Sequence, residues 1–135
     1  MSGRFQIAVH ILTLLYAAQG ELLSSEYMAG SVNVNPALIR KELSALIKAG
    51  LVASKEGKNG GYYLGKPAHQ ITMAQVYDAV DPKAILGQAR NMPNPACTIG
   101  KQINGYFKVM DDEVQQAVRD RLNTQTLDTF YKRFE

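Results

Sequence analysis

The sequence predicts a mainly α-helical fold with a small β-hairpin wing: a winged helix-turn-helix followed by a long C-terminal helix for dimerisation. Three observations carry this expectation. Residues 33–65 read as a capped helix, a glycine stop and two short strands around a glycine-rich tip. Two further helical patterns precede them, from Arg4 to Ala18 and from Ser24 or Ser25 to Val32. Beyond them, an apolar repeat from Ile99 to Leu122 is too long for so small a domain to cover by itself. The predicted division is residues 1–82 for the winged domain, 83–96 for a connecting segment, and 97–135 for the dimerisation helix and a terminal helix.

The central helix is defined at both ends. Asn35 is a good N-cap, and Pro36 at the first helical position loses no useful donor. Val34 before the cap and Ile39 after it are spaced for a hydrophobic staple. Ile39, Leu43, Leu46 and Ile47 recur at helical spacing on one face, leaving Arg40, Lys41, Ser44 and Lys48 on the remainder. Gly50 suits the left-handed residue that ends such a helix. Leu51 to Lys55 then reads as a strand, residues 57–61 as a turn cluster, and Tyr62-Tyr63-Leu64 as the returning strand. A helix of this size fits a major groove, and the wing tip can reach a neighbouring minor groove or backbone. Glycines at the tip would let backbone N–H groups approach phosphates.

The other elements follow in order. Phe5, Ala8, Val9, Leu12, Leu15 and Tyr16 give the first helix its apolar face, widened by Ile7, Ile11 and Leu14, and Gly20 ends it. His10 on this helix reads as a core or boundary histidine. Glu26 falls in the first turn of the second helix, favourably for the helix dipole, with Tyr27, Met28 and Val32 as its apolar contacts. Residues 31–34 are the expected turn into the central helix. Thr72 and Gln75 are spaced as a capping box for a fourth helix, which Asp81-Pro82 should stop. Pro93 and Pro95 break regular structure in the 83–96 segment. From Cys97 to Leu122 the pattern is again helical, along Ile103, Phe107, Met110, Val114, Val118 and Leu122. Such a stripe is most economically buried against a second copy of the chain. Thr124 or Thr126 caps a last helix carrying Leu127 and Phe130.

Composition narrows the classes of function. Of 135 residues, 46% are hydrophobic and 20% charged, which suits a folded domain. No apolar run suggests a membrane span or signal peptide, so a cytoplasmic protein is expected. One cysteine, Cys97, leaves no internal disulfide. Residues 1–66 hold seven Lys/Arg against four acids, whereas residues 67–135 hold eight of each, so the net charge of +3 lies wholly in the half with the helix and wing. That polarity suits double-stranded DNA on one half and a neutral partner on the other. There is no Ser/His/Asp set, phosphate loop or zinc spacing, so an enzyme is not expected.

The residues from Leu43 to Leu64 carry a resemblance. Leu43, Leu46, Ala49-Gly50-Leu51-Val52 and Ser54, followed by Gly57, Gly60-Gly61-Tyr62 and Leu64, resemble the signature of the Rrf2 family of bacterial transcription regulators. Ile71-Thr72 opening a helix with Ala79-Val80, a cysteine before a long helix, and a terminal helix at Thr126-Leu127 are similar to later segments of that family. The resemblance implies a homodimer with crossed long helices and two winged domains reading a pseudo-palindromic operator, expected to act as a repressor. Two departures stand out. Cluster-bearing relatives place three cysteines before the long helix, whereas this chain has Cys97 alone, so no iron–sulfur cofactor is expected. Glu56 stands where many relatives carry an arginine before the wing glycine.

The expected DNA contacts are Asn35, Pro36, Ala37, Arg40, Lys41 and Ser44 on the central helix, and Lys55, Lys58, Asn59, Gly60, Gly61 and Tyr62 on the wing. Cys97, expected at the N-terminus of the long helix, is a candidate oxidant sensor through a stabilised thiolate. Burial as an inert thiol, or a small-molecule effector against the 83–96 segment, are the alternatives there. A winged module that binds protein instead of an operator is the competing function, with Glu56 as its support.

Overall fold

The computed structural model describes residues 3–80 and 82–135. Its elements run α1 (Arg4–Ala17), α2 (Ser25–Val32), α3 (Pro36–Lys48), β1 (Val52–Lys55), β2 (Gly61–Leu64), α4 (Met73–Ala79), α5 (Ile103–Leu122) and α6 (Leu127–Tyr131), with short 3-10 turns at Ala68–Gln70 and Lys132–Phe134. The fold is the mainly helical, winged arrangement that the sequence predicts.

Local chemistry sets the boundaries. Asn35 Oδ1 accepts the Ala37 N–H at 2.8 Å, and Ser24 Oγ accepts the Tyr27 N–H at 3.0 Å. Thr72 and Gln75 form a reciprocal capping box, with both hydrogen bonds at 3.2 Å. Gly50 takes the left-handed conformation at φ +79°, as the stop of α3 requires. The turn between α2 and α3 is tighter than expected: Ser31 and Val32 are still helical, and Asn33 reverses the chain at φ +64°. Asn reaches that conformation at lower cost than most residues. Asp81, expected to help stop α4, lies outside the described residues.

Ile11, Leu12, Met28, Ile39, Leu43, Leu46, Ile71, Val76 and Leu127 are fully buried in one core. Leu127 belongs to that core because the chain returns after α5. The Leu127 N–H donates to the Ile71 carbonyl at 2.9 Å, and the Met73 N–H to the Gln125 carbonyl at 2.9 Å. The terminal helix is thus part of the winged core, while α5 projects from it. Two residues expected inside lie outside: Tyr27 is 59% exposed and Ile47 39%. Both fall on the solvent side of short helices whose inner face is already filled, by Met28 and Ala29 in α2 and by Leu43 and Leu46 in α3.

The wing is antiparallel, with Val52 opposite Leu64 and Lys55 opposite Gly61. Leu23 adds a third backbone rung: it exchanges both hydrogen bonds with Tyr62, at 2.8 and 3.1 Å. The tip glycines are demanded by this crowding. A Cβ on Gly60 would fall 2.0 Å from the Lys55 carbonyl oxygen, and one on Gly61 2.9 Å from that of Leu23.

The long helix begins later than expected. Residues 97–102 form turns and α5 starts at Ile103, because Gly100 and Gly105 disfavour the first turns. Its 20 residues span about 30 Å. Arg119 Nε donates to Asp78 Oδ1 at 2.7 Å and ties α5 to α4. Asp111, 6% exposed, accepts the Leu86 N–H and the Gln115 amide, each at 2.7 Å, and so pins the connecting segment to α5. The Leu86 N–H is the main reason its carboxyl lies below the usual range.

One ion pair reaches across the core. Arg4 Nε donates to both Glu42 carboxylate oxygens, at 2.9 and 3.0 Å, joining the first turn of α1 to the inner face of α3. The Glu42 side chain is 2% exposed and that of Arg4 29%. Removing one partner strands a buried charge, whereas replacing both by apolar groups need not. Arg4→Ala should therefore cost about 3 kcal/mol in urea denaturation, and Arg4→Met with Glu42→Met should recover much of that loss. Equal losses in the single and double variants would show that the pairing itself stabilises the core.

Candidate nucleic-acid interface

The inner face of α3 is committed to the core through Ile39, Glu42, Leu43 and Leu46. The opposite face therefore has no choice but solvent. It presents Ala37, Arg40, Lys41, Ser44 and Lys48 as exposed residues, with Asn35 exposed at the cap and Pro36 half-buried. Ser44 Oγ donates back to the Arg40 carbonyl at 3.0 Å, which holds the hydroxyl close to its own helix. Leu38, 45% exposed, lies on this outer face too, and Tyr27 stands exposed on neighbouring α2. An exposed apolar side chain on such a helix is chemically suited to a thymine methyl group. The sequence signal for Leu38 was its place outside the Ile39-Leu43-Leu46 stripe.

On the wing, Lys55, Lys58 and Asn59 are exposed, and Glu56 is exposed beside Lys55. Gly60, Gly61 and Tyr62 are half-buried. Tyr62 packs against the core, and its backbone groups are engaged by Leu23. It anchors the wing root, leaving the tip to the lysines and Asn59. Among the described residues, no carboxylate lies within ion-pairing distance of Lys41, Lys48, Lys55 or Lys58. The positive charge on helix and wing is thus available to an external anion. Two cations of this half do have carboxylate partners: Arg4 pairs with the buried Glu42, and Arg40 makes an exposed contact with Glu26 at 3.6 Å.

This arrangement has counterparts among known proteins. The model of the Rrf2 family, described as an iron-dependent transcriptional regulator, matches residues 1–133. The chain belongs to the Rrf2 family of transcriptional regulators. YwnA of Bacillus subtilis (strain 168), a candidate HTH-type transcriptional regulator, is 35% identical over 127 residues, covering 94% of this chain and 93% of YwnA. The crystal structure of a candidate transcriptional regulator from Lactobacillus plantarum superposes with a TM-score of 0.80 at 29% identity, over 95% of this chain and 87% of that one. CymR, described as the global cysteine regulator of B. subtilis, shares the fold, with a TM-score of 0.69 at 23% identity over 98% and 95% of the two chains. The family is one of regulators and not of enzymes. No helix among the described residues is long and apolar enough to cross a membrane.

The iron in the Rrf2 description meets a poor donor set here. Cys97 is the one cysteine, and among the described residues no three His, Cys, Asp or Glu side chains are gathered as a metal site. A cluster held by thiolates needs several such ligands. The residues present do not fit one.

Cys97 itself sits six residues before α5, in a turn, and not at the helix N-terminus that the sequence suggested. It is exposed in the single chain and not buried. The Asn94 carbonyl accepts its N–H at 3.1 Å, and its own carbonyl accepts the Lys101 N–H at 3.0 Å. Within this turn the backbone N–H of Gly100, and secondarily that of Ile99, favour the thiolate and lower its pKa below the ordinary thiol range. The direction matches the expectation, and the cause is the turn. A depressed folded pKa means that the thiolate fraction near neutral pH is larger in the folded chain than in the unfolded one. The associated stabilisation is present above the unfolded pKa and is lost as pH falls through the folded value. Iodoacetamide alkylation followed across pH should therefore inflect at lower pH for the native protein than for the urea-unfolded chain. Coincident inflections would remove the turn amides as a cause.

Proposed function

We propose that this Rrf2-family chain is a repressor that binds a pseudo-palindromic operator as a homodimer. The observation that carries this reading is the division of α3 into a buried inner face and an exposed outer face bearing Arg40, Lys41, Ser44 and Lys48. The outer face, from Asn35 to Ser44, enters the major groove, with Arg40 reaching a guanine edge and Lys41 a phosphate. Lys55, Lys58 and Asn59 at the wing tip take the adjacent backbone or minor groove, where Glu56 limits how closely the wing approaches phosphate.

The second copy is called for by α5. Phe107 is 52% exposed and Met110 50%, and they share a helical face with Ile103, Val114, Val118 and Leu122. A contiguous apolar stripe of this kind marks an interaction surface. Covering it with the same stripe of a partner gives a two-fold axis, and a two-fold axis gives two recognition helices at a fixed separation. The regulator works without an iron–sulfur cluster. Its signal is an oxidant or electrophile at Cys97, or a small molecule held by the 83–96 segment.

Selection of bound genomic fragments, followed by salt titration on a selected fragment, tests the DNA reading. Affinity should fall steeply with salt as counterions are displaced. Arg40→Ala should cost roughly 1–3 kcal/mol per half-site and relax preference at one base position. Salt-independent binding, or an Arg40→Ala profile identical to wild type, would contradict it. Phe107→Glu with Met110→Glu places charge on exposed positions, so the monomer should still fold. Sedimentation should show a wild-type dimer and a monomeric double variant, and a monomeric wild type would refute the dimer.

A further inference from the structure

Arg40, the base-reading residue of the proposed function, is already engaged inside the chain. Its Nη1 lies 3.6 Å from Glu26 Oε1 and 3.4 Å from Ser25 Oγ. Ser25 Oγ donates in turn to Glu26 Oε2 at 3.2 Å. Ser25 is 6% exposed, so this hydroxyl is a fixed point, whereas the Glu26 and Arg40 side chains are 70% and 52% exposed. Glu26 occupies the first turn of α2, where the helix amides favour an anion. In a helix-turn-helix, the first helix crosses the DNA backbone.

Two consequences follow from this geometry. Among the described residues, Arg40 spends one nitrogen, Nη1, on Glu26 and Ser25, so the Nε and Nη2 edge has no partner. That edge is the fork a guanine takes up in bidentate fashion. Glu26 also places a negative charge where α2 would otherwise offer its amides to a phosphate. A carboxylate there opposes indiscriminate backbone binding while it orients the guanidinium.

We propose that Glu26 is a specificity-determining residue that acts through Arg40. It holds the guanidinium with its free edge outward and discourages binding to DNA that lacks the matching base. It is a positioning residue and contacts no base itself. The contact is exposed and made at a single point, with one nitrogen facing one carboxylate, so its contribution is modest and readily exchanged for a better partner. This inference rests on the DNA-binding reading of the outer face of α3.

The test compares binding to a genomic fragment selected by the wild-type protein with binding to a scrambled duplex of equal length. Glu26→Gln should tighten binding to the scrambled duplex and lower the ratio of specific to scrambled affinity, by up to about fivefold for each copy of the contact. Glu26→Asp keeps the charge and should restore most of the ratio. In an Arg40→Ala background, Glu26→Gln should leave the ratio where Arg40→Ala alone puts it. Circular dichroism melting of each variant checks that α2 is intact. An unchanged ratio in Glu26→Gln overturns the proposal. So does an equal fall in the Arg40→Ala background, which would mean that Glu26 sets the ratio without acting through Arg40. A wild-type protein that binds neither duplex fails the DNA-binding reading instead, and this inference with it.

Discussion

Ile39, Leu43 and Leu46 of α3 are buried against α1 and α2, and that burial decides which side chains of the same helix can meet a partner. Each such side chain contributes roughly 1.5–3 kcal/mol by leaving water. Rotating α3 would expose all three, which a domain stable by only about 5–15 kcal/mol cannot tolerate. Glu42 sharpens the constraint. Its carboxylate lies on the inner face and must find Arg4 at the start of α1, so a rotation would also break a charge pair in the core. Arg4 is an unfavourable residue for a helix N-terminus on electrostatic grounds alone, and the pairing with Glu42 accounts for it.

The same economy extends to the wing and the C-terminal half. Leu23 exchanges two backbone hydrogen bonds with Tyr62, so the hairpin is attached to the segment entering α2 and not only to its own strands. The tip can then be polar and cationic without loosening the root. On the other side, α5 is held at Asp78 by Arg119, while the chain after it returns to bury Leu127. The first half of α5 is left projecting, with Tyr106, Phe107, Val109 and Met110 each at least half exposed. Asp111 fastens the connecting segment to this projecting helix through the Leu86 N–H.

Much of this was legible from sequence, because the signals are local. The Asn35-Pro36 cap, the Gly50 stop, the Thr72-Gln75 box and the Gly60-Gly61 tip are short-range chemistry, and each forms as the residue types require. What was not legible depends on distant partners. Glu42 falls on the apolar stripe of α3, a detectable anomaly, but nothing local names Arg4, 38 residues away, as its partner. Tyr62 reads as a wing residue until Leu23 is seen to claim it. The apolar repeat runs on through Ile99 and predicts a start for α5 six residues early, whereas Gly100 and Gly105 weigh against helix there. The sequence predicts the solvent-facing positions of Arg40, Lys41, Lys48, Lys55 and Lys58. It did not supply the link from Arg40 to Glu26, which only the angle between α2 and α3 creates.

On the proposed function, the outer face of α3 and the wing tip form the surface that meets DNA. Backbone amide chemical-shift mapping of the isotope-labelled protein, titrated with a selected genomic duplex, tests it most directly. Perturbations should concentrate from Asn35 to Ser44 and from Lys55 to Gly61, with the amides along α5 little changed. Perturbations confined to α5 or the 83–100 region, with α3 silent, would contradict it.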